Sequence, residues 1–191
     1  MKDTIKFFSI FGMGLLYVVL VLLSCFPGFL HPVLWVYFPV LGALMGAFPF
    51  YWIASRWQKF GVGTLLGVML CLFCIITGEA QGVFSRLMMI MCGVIADIVR
   101  LCVGNSSKKG LYISYPFLAI GSSGWIIRLW THPDWYYENA IEEMGTEYAD
   151  TLATFSNPLC YLLLVFLTAA SSCLGIWLAS KALKKSSEKI I

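Results

Sequence analysis

Charge is scarce in this sequence: Asp, Glu, Lys and Arg together make up 12% of its 191 residues. A soluble domain carries roughly 25%. None of the four occurs from Phe7 to Ser55, from Phe60 to Gly78, or from Thr151 to Ser180. The chain is 60% hydrophobic, with a mean hydropathy of +0.83. A water-soluble fold of this length cannot hide that much apolar surface. A soluble enzyme, a disordered chain and a nucleic-acid binder are excluded together. Histidine is nearly missing too, with two copies. There is no H-E-x-x-H and no G-x-S-x-G. Both His fall near one surface, so no mid-membrane Ser–His or di-His metal site is expected. Without a Walker A segment the chain has no nucleotide hydrolysis by that route. No catalytic pair emerges, and no enzyme is expected. No internal repeat is detectable, against a transporter of two inverted halves within this chain.

What is present is a set of apolar runs at the length of bilayer spans. A core of about 30 Å needs roughly 20 apolar residues per helix. The runs do not alternate as barrel strands do, so they read as helices. Six spans are expected: about 5–26, 33–54, 60–78, 81–103, 111–130, and one from Asn157-Pro158 onward. His31-Pro32 separates the first two. Lys2 and Lys6 before an apolar run also fit a secretory leader, but Leu23 stands where a cleavage site wants a small residue. Eleven Lys and Arg fall on one side of this arrangement, and only Arg86 and Arg128 on the other. That bias places both termini in the cytoplasm and the basic face against anionic lipid. The acidic residues gather outside: Glu79, Asp134, Glu138, Glu142, Glu143, Glu147 and Asp150. The expectation is a single all-α, six-helix transmembrane domain over residues 1–191 of a bacterial plasma membrane protein.

Residues 132–156 form a long outer connection, read as an amphipathic lid carrying Trp135, Tyr136, Ile141, Met144, Tyr148 and Leu152. Cysteine adds little. Seven are present, and Cys71-x-x-Cys74 lies on an apolar run without His or acid neighbours, which suits packing.

Ionisable groups in spans are functional candidates by default. Asp97 and Arg100 share a helix face and read as a structural ion pair. Glu79, Arg86 and Arg128 lie at the outer mouth; the two arginines either pair with outer acids or hold an anionic ligand. Trp125, Trp130, Trp135, Tyr136 and Tyr137 are placed to stack on a flat ligand there. His31 and His132 are outward-facing candidates for an iron or haem ligand. Gly12, Gly14, Gly42 and Gly46 make small-residue patches, read as helix packing or a docking surface for another membrane subunit.

Three segments resemble one family. Arg56-Trp57-Gln58-Lys59-Phe60-Gly61 is similar to the R-x-x-K-F-G turn of the Trep-Strep integral membrane family. Gly93-Val94-Ile95-Ala96-Asp97-Ile98-Val99-Arg100 resembles its G-x-I-A-D helix segment. Gly145-Thr146-Glu147-Tyr148-Ala149-Asp150-Thr151 resembles its G-x-E-Y-A-D-T loop. The family in turn resembles the substrate-binding S components of energy-coupling factor (ECF) transporters. That resemblance implies a six-helix subunit that captures a micronutrient outside, with haem or an iron-related ligand first and a vitamin or metal otherwise. It implies no resident cofactor, a transmembrane coupling subunit and two cytoplasmic ATPases as partners, and a small-x-x-x-small docking pattern on helix 1. Here that pattern is imperfect, since Met13 follows Ser9 and Leu16 follows Gly12 at plus four. The competing expectation is a membrane interaction or assembly protein with no small-molecule ligand.

Overall fold

The computed structural model describes residues 2–78 and 82–188, with side chains described from Phe8 to Leu183 within them. Among the described residues there are helices and turns and no strand. The long helices are α1 (Lys2–Leu23), α3 (Phe38–Arg56), α4 (Val62–Ile76), α5 (Val83–Val103), α6 (Lys108–Gly121) and α10 (Pro158–Glu188). Short helices α2 (Pro32–Val36), α7 (Arg128–Thr131), α8 (Pro133–Met144) and α9 (Thr146–Ala153) gather at one end, with 3-10 turns at Phe26–Phe29 and Ser122–Trp125. The long helices close into a ring, each packed on the next in the order α1, α3, α10, α6, α5, α4 and back to α1. Contacts between α3 and α6 cross its centre.

The ring is apolar outside as well as inside. Phe8, Phe11, Leu15 and Val19 on α1, and Leu159, Leu162, Leu163 and Phe166 on α10, are exposed. Continuous apolar surface of that extent belongs in lipid. Three stretches are both long and apolar enough to cross a membrane: Phe8–Phe29, Phe38–Arg56 and Pro158–Leu183. The other three expected spans each miss one condition among the described residues. The 15 residues of α4 rise only about 22 Å. Helix α5 is long enough but carries Arg86, Asp97 and Arg100. Helix α6 has 14 residues and then tightens into a 3-10 turn.

Several boundaries differ from the sequence reading for local reasons. The expected 33–54 helix breaks at Tyr37, because a ring at Pro39 would meet the carbonyl four residues back in a continuous helix. The expected 111–130 helix ends at Gly121. The Ser122 and Ser123 hydroxyls donate back to Ala119 O and Ile120 O at 2.7 Å each, and the chain turns inward through buried Trp125, Ile126 and Ile127.

Helices α4 and α5 meet backbone to backbone. A Cβ on Gly63 would stand 2.5 Å from Gly93 O, and one on Gly67 2.6 Å from Met89 O. The tightest small-x-x-x-small seam is therefore Gly63 and Gly67 against Gly93, an internal contact of the kind that lets backbones approach. The docking expectation, made for Gly12, Gly14, Gly42 and Gly46, is corrected for the last three. A Cβ on Gly14 would meet Met69 Sδ at 2.6 Å, on Gly42 the Ser24 hydroxyl at 3.0 Å, and on Gly46 the Tyr17 ring at 2.8 Å. Those three face the chain's own core, and only Gly12 looks into open space.

The Asp97–Arg100 ion pair is also corrected. Both are 1% exposed, yet each bonds elsewhere. Asp97 caps α4: its Oδ1 accepts from Gly63 N at 2.9 Å, and its Oδ2 from Thr64 N at 2.7 Å and the Thr64 hydroxyl at 2.8 Å. Arg100 donates to Ala54 O, Trp57 O and Asn105 O at 3.1, 2.6 and 3.2 Å. Helix ends leave backbone groups unpaired. The carboxylate satisfies the start of α4, and the guanidinium the end of α3 and the turn after α5.

Candidate functional site

The short helices build a cap with its own small core. Val36, Leu129, Ala140, Ala149 and Leu152 are buried together, with Trp35, Tyr136, Tyr148 and Phe155 packed around them. The expected single amphipathic helix over 132–156 is two helices, split at Gly145, whose φ of +87° favours glycine. Two side chains tie α8 and α9 to the connection between α1 and α3. The Tyr148 hydroxyl donates to Gly28 O at 2.6 Å, and Trp35 Nε1 donates to the Tyr136 hydroxyl at 2.7 Å. Burial pushes the Tyr148 hydroxyl up to about 12. On the outer side of the cap, Tyr137 donates to Asp150 Oδ1 at 2.6 Å, and that bond holds its pKa above the usual value.

Between cap and bundle lies a cavity of about 100 Å³. Its walls are aromatic: Phe29 and Trp35 from the α1–α3 connection, Trp125 from the turn after α6, Trp135 and Tyr136 from α8, and Tyr148 from α9. Its polar groups are Arg128, Asn139 and Glu143. The Arg128 guanidinium lies over the Trp135 ring, 4.1 Å from its centroid, a cation–π contact. Its other flank rests on the α4–α5 turn, where a Cβ on Gly82 would stand 2.7 Å from Nη2. Gly82 also has a φ of +97°, so this turn favours glycine for both backbone and space. Residues 132–156 carry six carboxylates and no Lys or Arg. Among the described residues Arg128 nevertheless makes no ion pair and no hydrogen bond, and neither does Glu143, an exposed residue that also lines the cavity.

Of the residues expected at the mouth, the fold brings together Arg128, Trp125, Trp135 and Tyr136. It leaves out Arg86, exposed on the first turn of α5. Trp130 is also outside, its Nε1 donating to Asn157 O at 3.2 Å and its ring 5.0 Å from Tyr161. Glu79 lies outside the described residues. Neither His lines the cavity. His31 is exposed and caps α2, its Nδ1 accepting from Val33 N at 3.2 Å. His132 is exposed beside the Thr131 hydroxyl, 3.0 Å away. The described residues hold no group of three metal-ligating side chains.

Sequence reasoning missed Phe29, Trp35, Asn139 and Glu143. Asn139 and Glu143 stand four and eight residues after Trp135, one face of a helix, so a helical-wheel reading from Trp135 points at them. Nothing in the sequence points to Trp35, which arrives from a different segment.

A family model described as a hypothetical bacterial integral membrane protein (Trep_Strep) matches residues 2–189. No curated protein and no solved structure matches the chain.

Proposed function

Because the chain belongs to the Trep_Strep family of bacterial integral membrane proteins, we propose that it is a membrane-embedded solute-capture subunit of an ECF-type importer. The observation that carries this reading is the capped aromatic cavity with a guanidinium that has no acid partner among the described residues. A cavity with few convergent polar groups is the common form of a small-molecule site. The proposed topology has six spans, with α5 turning Asp97 and Arg100 into the bundle and an apolar face of Leu87, Met91, Ile95 and Ile98 outward. Both termini and the Lys- and Arg-rich turns face the cytoplasm, and the acidic cap faces outside.

The chain carries no nucleotide-binding motif, so energy for uptake comes from a transmembrane coupling subunit and two cytoplasmic ATPases. The basic end, braced by Asp97 and Arg100, is the surface presented toward those partners and toward anionic lipid. The internal glycines are committed to packing, so docking uses other surfaces. The cargo is smaller than haem. The cavity of about 100 Å³ lies below the roughly 300–1,000 Å³ of sites for drug-sized ligands, and no His reaches it.

The test is purification of the tagged protein from its native membrane, with the co-purifying chains identified. A stoichiometric complex with a coupling subunit and two ATPases supports the reading. A protein isolated alone, or with an extracellular partner bound to the cap, favours the assembly-protein alternative and overturns the importer reading.

A further inference from the structure

We infer that the cavity's ligand is a compact zwitterion, its carboxylate held by Arg128 and its ammonium end by the aromatic wall and Glu143. This rests on the reading of the cavity as a solute site. It follows from how the two charges of the cavity are disposed.

Arg128 and Glu143 line the same small space and do not pair, and no other described residue pairs with either. Next to a segment with six carboxylates, an arginine left without an acid among the described residues is a specific arrangement. Opposite charges facing one cavity attract each other across it. A ligand with both charges satisfies each end and adds no net charge to the site. A simple anion satisfies Arg128 and gains nothing from Glu143, which repels it. A simple cation does the reverse.

The aromatic rings favour the same ligand. Trp35, Trp125, Tyr136 and Tyr148 line the space. The faces of such rings attract an ammonium or methylated ammonium group. The ring of Trp135 is already taken by Arg128, which holds the guanidinium in place and leaves its N–H groups for a carboxylate. The cavity of about 100 Å³ favours a compact ligand, since sites for drug-sized ligands run to roughly 300–1,000 Å³.

The experiment uses the full chain in detergent, with binding read by calorimetry and thermal shift. The probes are glycine betaine and γ-aminobutyrate as zwitterions, choline as the cation without a carboxylate, and tert-butylacetate as the anion without the ammonium. At least one zwitterion is expected to bind at least tenfold more tightly than choline and tert-butylacetate. Arg128→Gln and Glu143→Gln are each expected to weaken that binding about tenfold, the size of one charged hydrogen bond. Arg86→Gln is expected to leave it unchanged. Glu143 is exposed, so its variant keeps the test interpretable should Arg128→Gln fold poorly. No binding of either zwitterion at millimolar concentration, or equal binding of choline or tert-butylacetate, overturns the assignment. If the coupling subunit and ATPases still co-purify in that case, the zwitterion assignment alone has failed.

Discussion

Replacing Asp97 by Ala removes the acceptor for Gly63 N, Thr64 N and the Thr64 hydroxyl in one step. The Thr64 hydroxyl can turn to a carbonyl of its own helix and loses little. The two backbone N–H groups have no such alternative at a helix start. Each buried unsatisfied group costs about 1–3 kcal/mol, and loss of an N-cap costs about 0.5–2 kcal/mol by itself. With Asp97 1% exposed, water cannot replace the carboxylate, and two such groups, with the cap loss counted within them, come to about 3 kcal/mol. For a chain of this size each kcal/mol shifts Tm by about 2–4 °C, so a fall of roughly 6–12 °C is expected. Tryptophan fluorescence during a thermal melt in detergent reads it, because the chain has seven Trp. Asp97→Asn keeps one carbonyl oxygen and is expected to cost about half as much. If the residue acted mainly as the charge partner of Arg100, Asn and Ala would be equally damaging. That outcome, or a fall under about 2 °C for Ala, refutes the capping argument.

Gly63→Ala pushes a Cβ onto Gly93 O, a backbone atom that cannot swing away, and is expected to cost about 1–3 kcal/mol in the same melt. Gly12→Ala meets nothing within 4 Å and is expected to leave Tm unchanged or slightly raised. Tyr148→Phe breaks the bond to Gly28 O and is expected to speed amide hydrogen exchange across 132–156, at a cost of about 1 kcal/mol. Tyr148 has its pKa raised from 10.0 to about 12, so its stabilising effect is complete below pH 10 and is lost as pH rises through 12. A tyrosinate absorbance titration followed alongside exchange at 132–156 should show the cap loosening in that window, and loosening well below pH 10 would contradict it.

The acidic patch and the aromatic cluster were legible before any coordinates, because residues 132–156 carry them as a local pattern. The cavity was legible in part. Arg128, Trp135 and Tyr136 lie close enough in sequence to be grouped, and Trp125 stands three residues before Arg128. Trp35 is 101 residues from its hydrogen-bond partner Tyr136, and no local period connects them. The two His were attractive because few side chains bind iron, yet the fold uses His31 as a helix cap. A His before Pro is well placed for that task, since Pro at the first helical position needs no partner and the next N–H does.

The sequence alone determined that this chain lives in a membrane and is helical, and it located the segment that becomes the cap. Those properties follow from composition and from uninterrupted apolar length, which are sums over neighbouring residues. Tertiary structure decided the partners. Asp97 and Arg100 sit three residues apart on one helix face, which favours a pair, but the ends of α3 and α4 offered them backbone groups that nothing else could satisfy. Gly42 and Gly46 have the spacing of a docking seam, but their small faces were filled by Ser24 and Tyr17 of the same chain. Which charges are left without a partner depends on the positions of all the others in space, and that is why Arg128 and Glu143 come to line one cavity only in the folded chain.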